Sequence, residues 1–462
     1  MAPVTNDILR FVLDTRFEDL PDFVVHEVKR SLLDVIGAAF AGLETEKGKM
    51  AMHVAARLGG TKESSVIGTA LKVSCTNASQ VNSEFMQAVD LDSVPHILPF
   101  VVPAVLSVAE SVNASGKDTI LAIAIGAEIA RRINDSMNVL ESSMGSLGKP
   151  PDVFGNSNEH MLGAALSVGK LLALNEEQMG NALGLAGYLC SLPIGRDWED
   201  TVPKSIVKYS PSGWNSHAAV MAALLAEQGY SGSRDMLDNQ FGFHVFYGAS
   251  VWMPEKITDD LGKIWRFTQT MYKILPCCRF LQSSLDCLIG LVNEYKFQPD
   301  EIDSIKAYSL PYSAHPDQYN VKTQIDAQYS FPFAASAVVH GIKPGVDWQN
   351  MNTINNSDIQ AFMKKVEMLP TSRAGEEKRK DPRSWYAKVD LTSKGITYSR
   401  ETLYSNGTNM EGYKLSDEVL IDKYKHNASR NLTQPKIYKS IDCLLSLENV
   451  EDVSQLIKLI TV

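Results

Sequence analysis

Apolar residues recur at intervals of three and four along the first 260 positions, and this periodicity limits the possible fold more than any other feature. Val28, Leu32 and Val35 fall on one side of a predicted helix, and Pro21 marks its start. The pattern recurs in segments rich in alanine, leucine and glycine, at residues 120–133, 161–174, 178–188 and 213–228. Their small side chains allow helices to pack closely. The sequence therefore predicts a mainly helical first half.

The pattern changes after about residue 265. Residues 301–310 alternate as in a strand, and residues 387–391 and 396–398 flank a turn typical of a hairpin. Helical periodicity is found at residues 331–339, 357–366, 416–428 and 436–460, and residues 371–383 are expected to form a loop. We predict a large all-helical domain of residues 1–264, completed by residues 410–462, with a smaller α/β domain of residues 265–409 inserted between its two parts.

Charge and hydropathy exclude several classes of partner. The 462 residues include 44 basic and 54 acidic side chains, a net charge of -10, which disfavours binding to nucleic acid or anionic lipid. The most apolar span, residues 98–108, is about half the roughly 20 residues that cross a bilayer, so we expect no membrane association. Six cysteines without paired spacing and a start without signal-peptide features favour a reducing, cytoplasmic location.

The densest cluster of reactive side chains is formed by Asp90, Asp92 and His96, where a predicted helix ends. Adjacent carboxylates and an imidazole shift one another's pKa values, which suits acid-base catalysis. The same residues offer the donor atoms of a metal site, and aspartates at helix ends also serve as simple caps. We expect Asp90 and His96 to be catalytic and no metal to be bound.

Two isolated cations are candidates for binding a carboxylate. Lys208 precedes the helix predicted at 213–228, where free backbone N–H groups add to the effect of an ammonium, although loop lysines are often only solvated. The Pro-Cys-Cys-Arg motif at 276–279 ends in Arg279, whose planar guanidinium matches a carboxylate, while its cysteines are typical buried fillers. Nucleophile-elbow, dinucleotide-binding and P-loop motifs are not found.

Several blocks of the sequence together resemble one known family. They are Asp-Leu-Asp at 90–92, Ile-Gly-Ala-Glu at 125–128, Gly-Ala-Ala-Leu at 163–166, Lys208 with Gly-Trp at 213–214, Leu-Pro-Cys-Cys-Arg at 275–279, Asp-Ala-Gln-Tyr-Ser at 326–330 and Ser-Asp-Glu-Val-Leu at 416–420. In this order they resemble motifs of the MmgE/PrpD family, which includes 2-methylcitrate dehydratases and cis-aconitate decarboxylases. The resemblance implies a lyase without an organic cofactor, a site in the cleft between the two domains, and a homodimer.

Some positions depart from the family pattern. The family threonine that ends the acidic turn falls on Val94, and the histidine that follows has no clean equivalent, so His96 is expected to replace it. Another family histidine aligns with Phe154, two residues before Asn156. Cys278 occupies a position where the decarboxylase branch has histidine. We therefore expect Val94, Phe154, Asn156 and Cys278 to contact the substrate.

Aromatic exchanges predict a drier and less cationic cavity than a tricarboxylate requires. A site tyrosine of the decarboxylase branch corresponds to Phe333, and with Phe154 it would suit an apolar substrate. His160 is the alternative source of the missing histidine. Three functions remain open: a family lyase acting on a carboxylate, a repurposed cyclase, isomerase or pericyclase of secondary metabolism, and a non-catalytic dimeric binding protein.

Overall fold

The computed structural model describes residues 3–138, 152–311 and 316–462. The first half is helical, as the sequence predicts. Its helices are Thr5–Asp14, Asp22–Leu43, Glu46–Leu58, Cys75–Gln87, Leu98–Ser111, Gly116–Met137, His160–Leu171, Glu176–Leu189, Gly195–Asp200, Ser212–Glu227, Phe243–Phe246 and Glu255–Thr258. A two-stranded antiparallel pair, β1 (Ser64–Ser65) and β2 (Lys72–Val73), interrupts them. No helix among the described residues has both the length and the apolar content needed to cross a bilayer.

Small residues let the central helices touch. A Cβ atom on Gly126 would lie 1.7 Å from Ser167 Oγ, and one on Gly163 would lie 2.3 Å from the carbonyl oxygen of Gly126. The helices Gly116–Met137 and His160–Leu171 therefore cross at a distance that larger side chains would prevent. The helix Leu98–Ser111 is buried along nearly its whole length, which explains its apolar sequence.

The second half contains a four-stranded sheet. Its strands are β3 (Ile302–Ser309), β4 (Val366–Pro370), β5 (Ala387–Ser393) and β6 (Ile396–Thr402), in the order β4-β3-β5-β6. β3 is parallel to β4 and antiparallel to β5, and β5 and β6 form the predicted hairpin. Lys394 and Gly395 both have positive φ, as a two-residue hairpin turn requires. Helices in this half are Arg279–Tyr295, Gln324–Tyr329, Phe331–Val339, Met351–Ile354, Ser357–Met363 and Ser372–Lys380.

Two local predictions for this half are wrong. Residues 372–380 form a helix instead of a loop; only Ala374 of that helix is buried, so its sequence shows no apolar stripe. The helix expected to reach residue 366 ends at Met363, and Val366 is the first residue of β4. The two lysines before Val366 separate the helix from the strand.

The last helices return to the first ones. They are Asp417–Ala428, Gln434–Leu445 and Ser454–Leu459. Tyr424 packs edge-on against Phe40 with ring centroids 5.8 Å apart, and Lys29 Nζ lies 2.5 Å from a carboxylate oxygen of Glu448. Short 3-10 turns occur at Phe17–Asp19, Arg266–Gln269, Pro299–Glu301, Pro316–Tyr319, Val346–Trp348 and Leu447–Asn449. The architecture is a large helical domain with a smaller α/β domain.

Candidate active site

The turn after the helix Cys75–Gln87 brings the predicted acidic cluster together. Asp90 has a left-handed backbone, with φ of 53°, and Lys208, which contacts it, has φ of 60°. Non-glycine residues seldom adopt this conformation, and it persists only where the surrounding structure fixes it. The turn places His96 Nε2 3.8 Å from Asp90 Oδ1. Asp90 and Lys208, which are 118 positions apart in the sequence, thus meet with both of their backbones in this unfavourable conformation.

Asp90 lies buried between two ammonium groups. Its Oδ1 accepts a hydrogen bond from Lys208 Nζ at 2.7 Å and lies 3.1 Å from Lys273 Nζ. Lys273 Nζ also donates to the backbone carbonyl of Asp90, at 3.1 Å. The three residues are at most 1% exposed, so adjacent cations rather than water balance the charge of the carboxylate.

The two lysines hold Asp90 in its ionised form. Burial alone would raise the pKa of Asp90, but the ammonium groups of Lys208 and Lys273 reverse this effect and hold the pKa below its ordinary value. Burial alone would lower the pKa of Lys273, and the nearby Asp90 and Asp92 carboxylates raise it instead. At neutral pH the cluster therefore consists of ion pairs.

Asp92 orients the imidazole of His96. His96 Nδ1 lies 2.7 Å from Asp92 Oδ2. Burial alone would raise the pKa of Asp92, yet His96 lowers it below its ordinary value, so the carboxylate is ionised at neutral pH and can only accept a hydrogen bond. The proton of this hydrogen bond belongs to Nδ1. Nε2 is then the ring nitrogen that can exchange a proton with a bound molecule.

A lysine from the last part of the chain supports this cluster. Lys423 Nζ, on the helix Asp417–Ala428, lies 2.6 Å from Asp34 Oδ1. The same ammonium donates to the backbone carbonyls of Leu91 and Lys273, at 2.6 and 2.8 Å. It therefore links the acidic turn to the segment that carries Lys273.

A cavity of about 420 Å³ opens beside Asp90 and His96. Other lining residues, among them Cys278, Tyr329 and Arg383, come from the second half of the chain. The volume of the cavity lies within the range of small-molecule sites, which typically combine a mainly apolar lining with a few polar groups. The candidate site thus lies between the two domains, as the sequence analysis anticipates.

Among the described residues, four cationic side chains line this cavity: Arg131, Arg279, Lys378 and Arg383. Arg131 Nε bonds to Asp135 at 2.9 Å, and Arg383 bonds to Asp381 at 2.8 Å. Arg279 differs, since its Nε is buried without a hydrogen-bond partner and its guanidinium pairs with no carboxylate in the described parts of the chain. Burial and the nearby Arg131 lower the pKa of Arg279 to about 9, which leaves it charged at neutral pH. Asp90, Asp135 and Glu199 also line the cavity, so the expectation that it is less cationic than a tricarboxylate requires stays a prediction.

Aromatic rings form another part of the wall. Trp198 packs edge-on against Tyr209 and Tyr329, with centroid distances of 5.5 and 5.0 Å, and all three line the cavity. The cavity therefore presents both cations and an apolar aromatic surface to a ligand.

The structure brings some of the predicted site residues together. Val94, Asn156, Cys278 and Arg279 line the cavity with Asp90 and His96. Burial and the charge of Asp90 raise the pKa of the Cys278 thiol to about 12, so it is protonated at neutral pH. It lines the site as a neutral group, like Val94.

Lys208, Phe154 and Phe333 lie elsewhere than expected. Lys208 is fully buried behind Asp90, whose carboxylate occupies the position expected for a substrate anion. Phe154 packs against Gly195, where an added Cβ would lie 2.4 Å from its ring. Phe333 belongs to a separate apolar cluster of the smaller domain, with Ile359 among its members. The two phenylalanines do not line the cavity, because their side chains complete local cores instead.

His160, the alternative to His96, does not belong to the described lining of the cavity. It starts the helix His160–Leu171, is fully buried, and packs edge-on against Phe100 at 5.4 Å. Burial lowers the pKa of His160, which keeps the ring neutral at pH 7. It is absent from the described lining of the cavity, whereas His96 is part of it.

A metal ion is the alternative occupant of the acidic cluster. Asp90, Asp92 and His96 each place one donor atom within 4.8 Å of the others. Two ammonium groups already contact Asp90, and their charge opposes a further cation. The expectation of no bound metal therefore remains a prediction that the local charge favours.

Sequence reasoning missed Lys273, Tyr209 and Trp198. Lys273 lies three residues before the Pro-Cys-Cys-Arg motif, inside an apolar stretch, where a buried lysine signals a buried partner. Tyr209 directly follows Lys208. Only the position of Lys273 carried a signal that could have been detected.

Comparison with known proteins identifies the family. Residues 6–251 match the MmgE/PrpD N-terminal domain, and residues 275–447 match the MmgE/PrpD C-terminal domain. The chain belongs to the MmgE/PrpD family. This result confirms the resemblance inferred from the sequence blocks.

Relatives of this MmgE/PrpD chain include named decarboxylases. It is 24% identical over 490 residues to human cis-aconitate decarboxylase, covering 100% of this chain and 95% of that protein. It is 24% identical to the cis-aconitate decarboxylase-like protein oryM of Aspergillus oryzae, with coverage of 99% and 97%. The cis-aconitate decarboxylase of Aspergillus terreus is 26% identical over 314 residues, 63% of this chain and 61% of that protein. At these identities the chain is a divergent member.

Proposed function

We propose that this protein is a lyase that dehydrates or decarboxylates a small carboxylate-bearing molecule. The observation that carries the proposal is that two side chains line one cavity of about 420 Å³: the imidazole of His96, and the guanidinium of Arg279, which pairs with no carboxylate among the described residues. Membership of the MmgE/PrpD family and the named decarboxylase relatives support the same reaction class.

His96 is the acid-base residue in this proposal. The ionised Asp92 fixes the proton on Nδ1 and leaves Nε2 to take a proton from, or return it to, the reacting carbon or oxygen. Asp90, held ionised by Lys208 and Lys273, lies 3.8 Å from Nε2 and stabilises positive charge that develops there.

Arg279 is the proposed seat for a substrate carboxylate. It is the first residue of the helix Arg279–Tyr295, and the preceding Cys278 also lines the cavity. The helix therefore begins at the cavity wall, where the positive end of its dipole adds to the guanidinium charge. A carboxylate placed there would receive the paired hydrogen bonds that Arg279 lacks.

The aromatic wall supports a substrate with an apolar substituent. Trp198, Tyr209 and Tyr329 offer contact area that a purely anionic substrate would leave unused, and aromatic contacts contribute about 0.5–1.5 kcal/mol each beyond burial. The site altered toward apolar molecules thus stays part of the proposal, with these three rings in place of Phe154 and Phe333.

The test is a turnover assay with cis-aconitate, 2-methylcitrate and 2-alkylcitrates of increasing chain length. Carbon dioxide release reports decarboxylation, and ultraviolet absorbance of the new double bond reports dehydration. We expect kcat/KM to rise with chain length, and Arg279→Gln to lower it about 100-fold, since a charged hydrogen-bonding partner is lost. Lys306→Gln, on the exposed face of β3, is the matched control and should leave turnover unchanged. Inactivity of the wild-type protein on every carboxylate would refute the proposal.

A repurposed cyclase, isomerase or pericyclase is the second candidate. The aromatic wall favours it, whereas the four cations that line the cavity oppose a substrate without carboxylates. A non-catalytic binding protein is the third. Binding of carboxylates with equal affinity to the wild type and to His96→Gln, without turnover by either, would support it.

We also propose a homodimer, as the family resemblance implies. Large apolar side chains between residues 188 and 246 are strongly exposed in the single chain, among them Leu192 at 76% and Phe246 at 75%. Exposed apolar surface of this kind commonly marks a protein interface. Sedimentation equilibrium of the full chain should give twice the mass of 50.9 kDa.

A further inference from the structure

Trp385 lies behind the cationic part of the cavity wall. It follows the helix Ser372–Lys380 by five residues, precedes β5, and is 2% exposed. It does not line the cavity itself, yet it contacts two of the cations that do, Arg279 and Lys378. We propose that Trp385 is a positioning residue that orients Arg279 toward a bound carboxylate, an inference that rests on the proposed function.

The two cations converge on a single indole ring. The central guanidinium carbon of Arg279 lies 4.7 Å from the ring centroid, and Lys378 Nζ lies 3.7 Å from it. Both distances are within the range of cation-π attraction. The ring itself is held in place, because Phe280 packs edge-on against it at 4.9 Å and its backbone N–H donates to the carbonyl of Leu403 at 2.9 Å.

Arg279 needs such support. An arginine at a protein surface is usually oriented by a carboxylate, and Arg279 has no such partner in the described chain, while its Nε is buried without a hydrogen bond. The electron-rich face of Trp385 therefore replaces an anion as the orienting group and leaves the hydrogen-bonding edge of the guanidinium free for a ligand. The same ring attracts the ammonium of Lys378, which also donates a hydrogen bond to the backbone carbonyl of Pro382.

A purely structural role is the alternative. Trp385 also packs with Leu310, Ala374 and Tyr386 in a small apolar cluster, so its loss would disturb packing in any case. The two roles differ in one respect. Orientation of Arg279 requires an aromatic face and matters only while Arg279 is present, whereas packing requires only volume.

The experiment measures binding of butylmalonate, an unreactive dicarboxylate with an apolar chain, to the full-length protein by titration calorimetry. Trp385→Leu should raise Kd about tenfold, and Trp385→Phe, which keeps an aromatic face, about threefold or less. Each variant is also made in an Arg279→Gln background, where the substitution of Trp385 should cause no further rise in Kd. Trp348→Phe is the matched control, because Trp348 is equally buried in the same domain and donates its Nε1 proton to the carbonyl of Ile342.

The outcomes separate this inference from the proposed function. No binding by the wild type, or binding that Arg279→Gln leaves unchanged, would overturn the role of Trp385 together with Arg279 as the carboxylate seat, while the turnover assay tests the lyase function separately. Binding that requires Arg279 but changes less than twofold in folded Trp385→Leu would overturn the role of Trp385 alone, as would losses that persist in the Arg279→Gln background. If the leucine variant does not fold, Trp385→Met, which keeps more of the volume but also removes the aromatic face, decides by the same twofold limit and the same comparison of backgrounds.

Discussion

Replacing Lys273 with methionine tests whether paired lysines hold Asp90 as an anion. The ammonium lies 3.1 Å from Asp90 Oδ1, and two unit charges at that separation attract by about 5 kcal/mol at an effective dielectric constant of about 20. The variant no longer has to desolvate a lysine, which offsets part of the loss. Because one negative charge stays buried with a single partner, we expect a net cost of about 3 kcal/mol in unfolding free energy.

The effect of Lys273→Met on stability should depend on pH. In the wild type the pKa of Asp90 lies below its unfolded value, so its stabilising effect is present above about pH 4 and is lost as the pH falls through the folded pKa. Removing Lys273 raises the folded pKa of Asp90. The difference in unfolding free energy between the wild type and Lys273→Met should therefore be constant above about pH 5 and become smaller below about pH 4.

Urea unfolding at pH 7, 5 and 3.5 provides the measurement. The double variant Lys273→Met/Asp90→Asn should recover part of the loss, because it no longer buries an unmatched carboxylate. Lys306→Met, which removes an exposed ion pair with Glu367, is the control and should leave the unfolding midpoint unchanged. A cost below about 1 kcal/mol for Lys273→Met, or an equal cost in the Asp90→Asn background, would refute this account of the cluster.

Three further changes have defined outcomes. His96→Gln should lower kcat about 100-fold with little change in KM, since it removes the proton-exchanging nitrogen; steady-state kinetics with retained activity would exclude His96 as the acid-base residue. Burial raises the pKa of Asp286 to about 7, so the folded chain retains a proton that the unfolded chain releases between about pH 4 and 7, and stability falls as the pH rises through that window. Asp286→Asn should therefore be stabilised relative to the wild type at pH 8 but not at pH 4.5, and equal urea midpoints at both pH values would contradict this. Gly407→Ala should lower the unfolding free energy by about 3 kcal/mol, because φ of Gly407 is +90° and the added Cβ would lie 1.9 Å from the Tyr272 carbonyl oxygen. An unchanged melting temperature would show instead that the segment can shift to accept the Cβ.

Helices could be predicted from the sequence where their buried apolar residues recur at regular intervals. The helix Asp22–Leu43 is buried at every position from Glu27 to Leu43, and its apolar residues, which recur at intervals of three and four, show this directly. The helix Ser372–Lys380 buries only Ala374, so no pattern exists to detect, although this helix carries Lys378 to the cavity. Local sequence thus reports how a segment is buried, and it fails for segments whose packing involves one or two residues.

The candidate site was predictable only where its residues are neighbours in sequence. Asp90, Asp92 and His96 share one turn, and their hydrogen bonding follows from that proximity. Lys273 reaches Asp90 across 183 positions, a contact that only the tertiary fold creates. For the same reason, the aromatic character of Phe333 could be read from the sequence, but its orientation into another core could not.

The hydrogen bonds of Lys423 set an order on the assembly of the protein. Its ammonium bridges a helix made early in synthesis and the two backbone segments that carry the reactive groups, so these segments stay incompletely fixed until the ribosome has released the helix Asp417–Ala428. Tyr424, Leu444 and Leu456 also belong to the main apolar core, so that core too is incomplete before the last helices are made. The core and the wall of the cavity would therefore be completed together, after most of the secondary structure has formed.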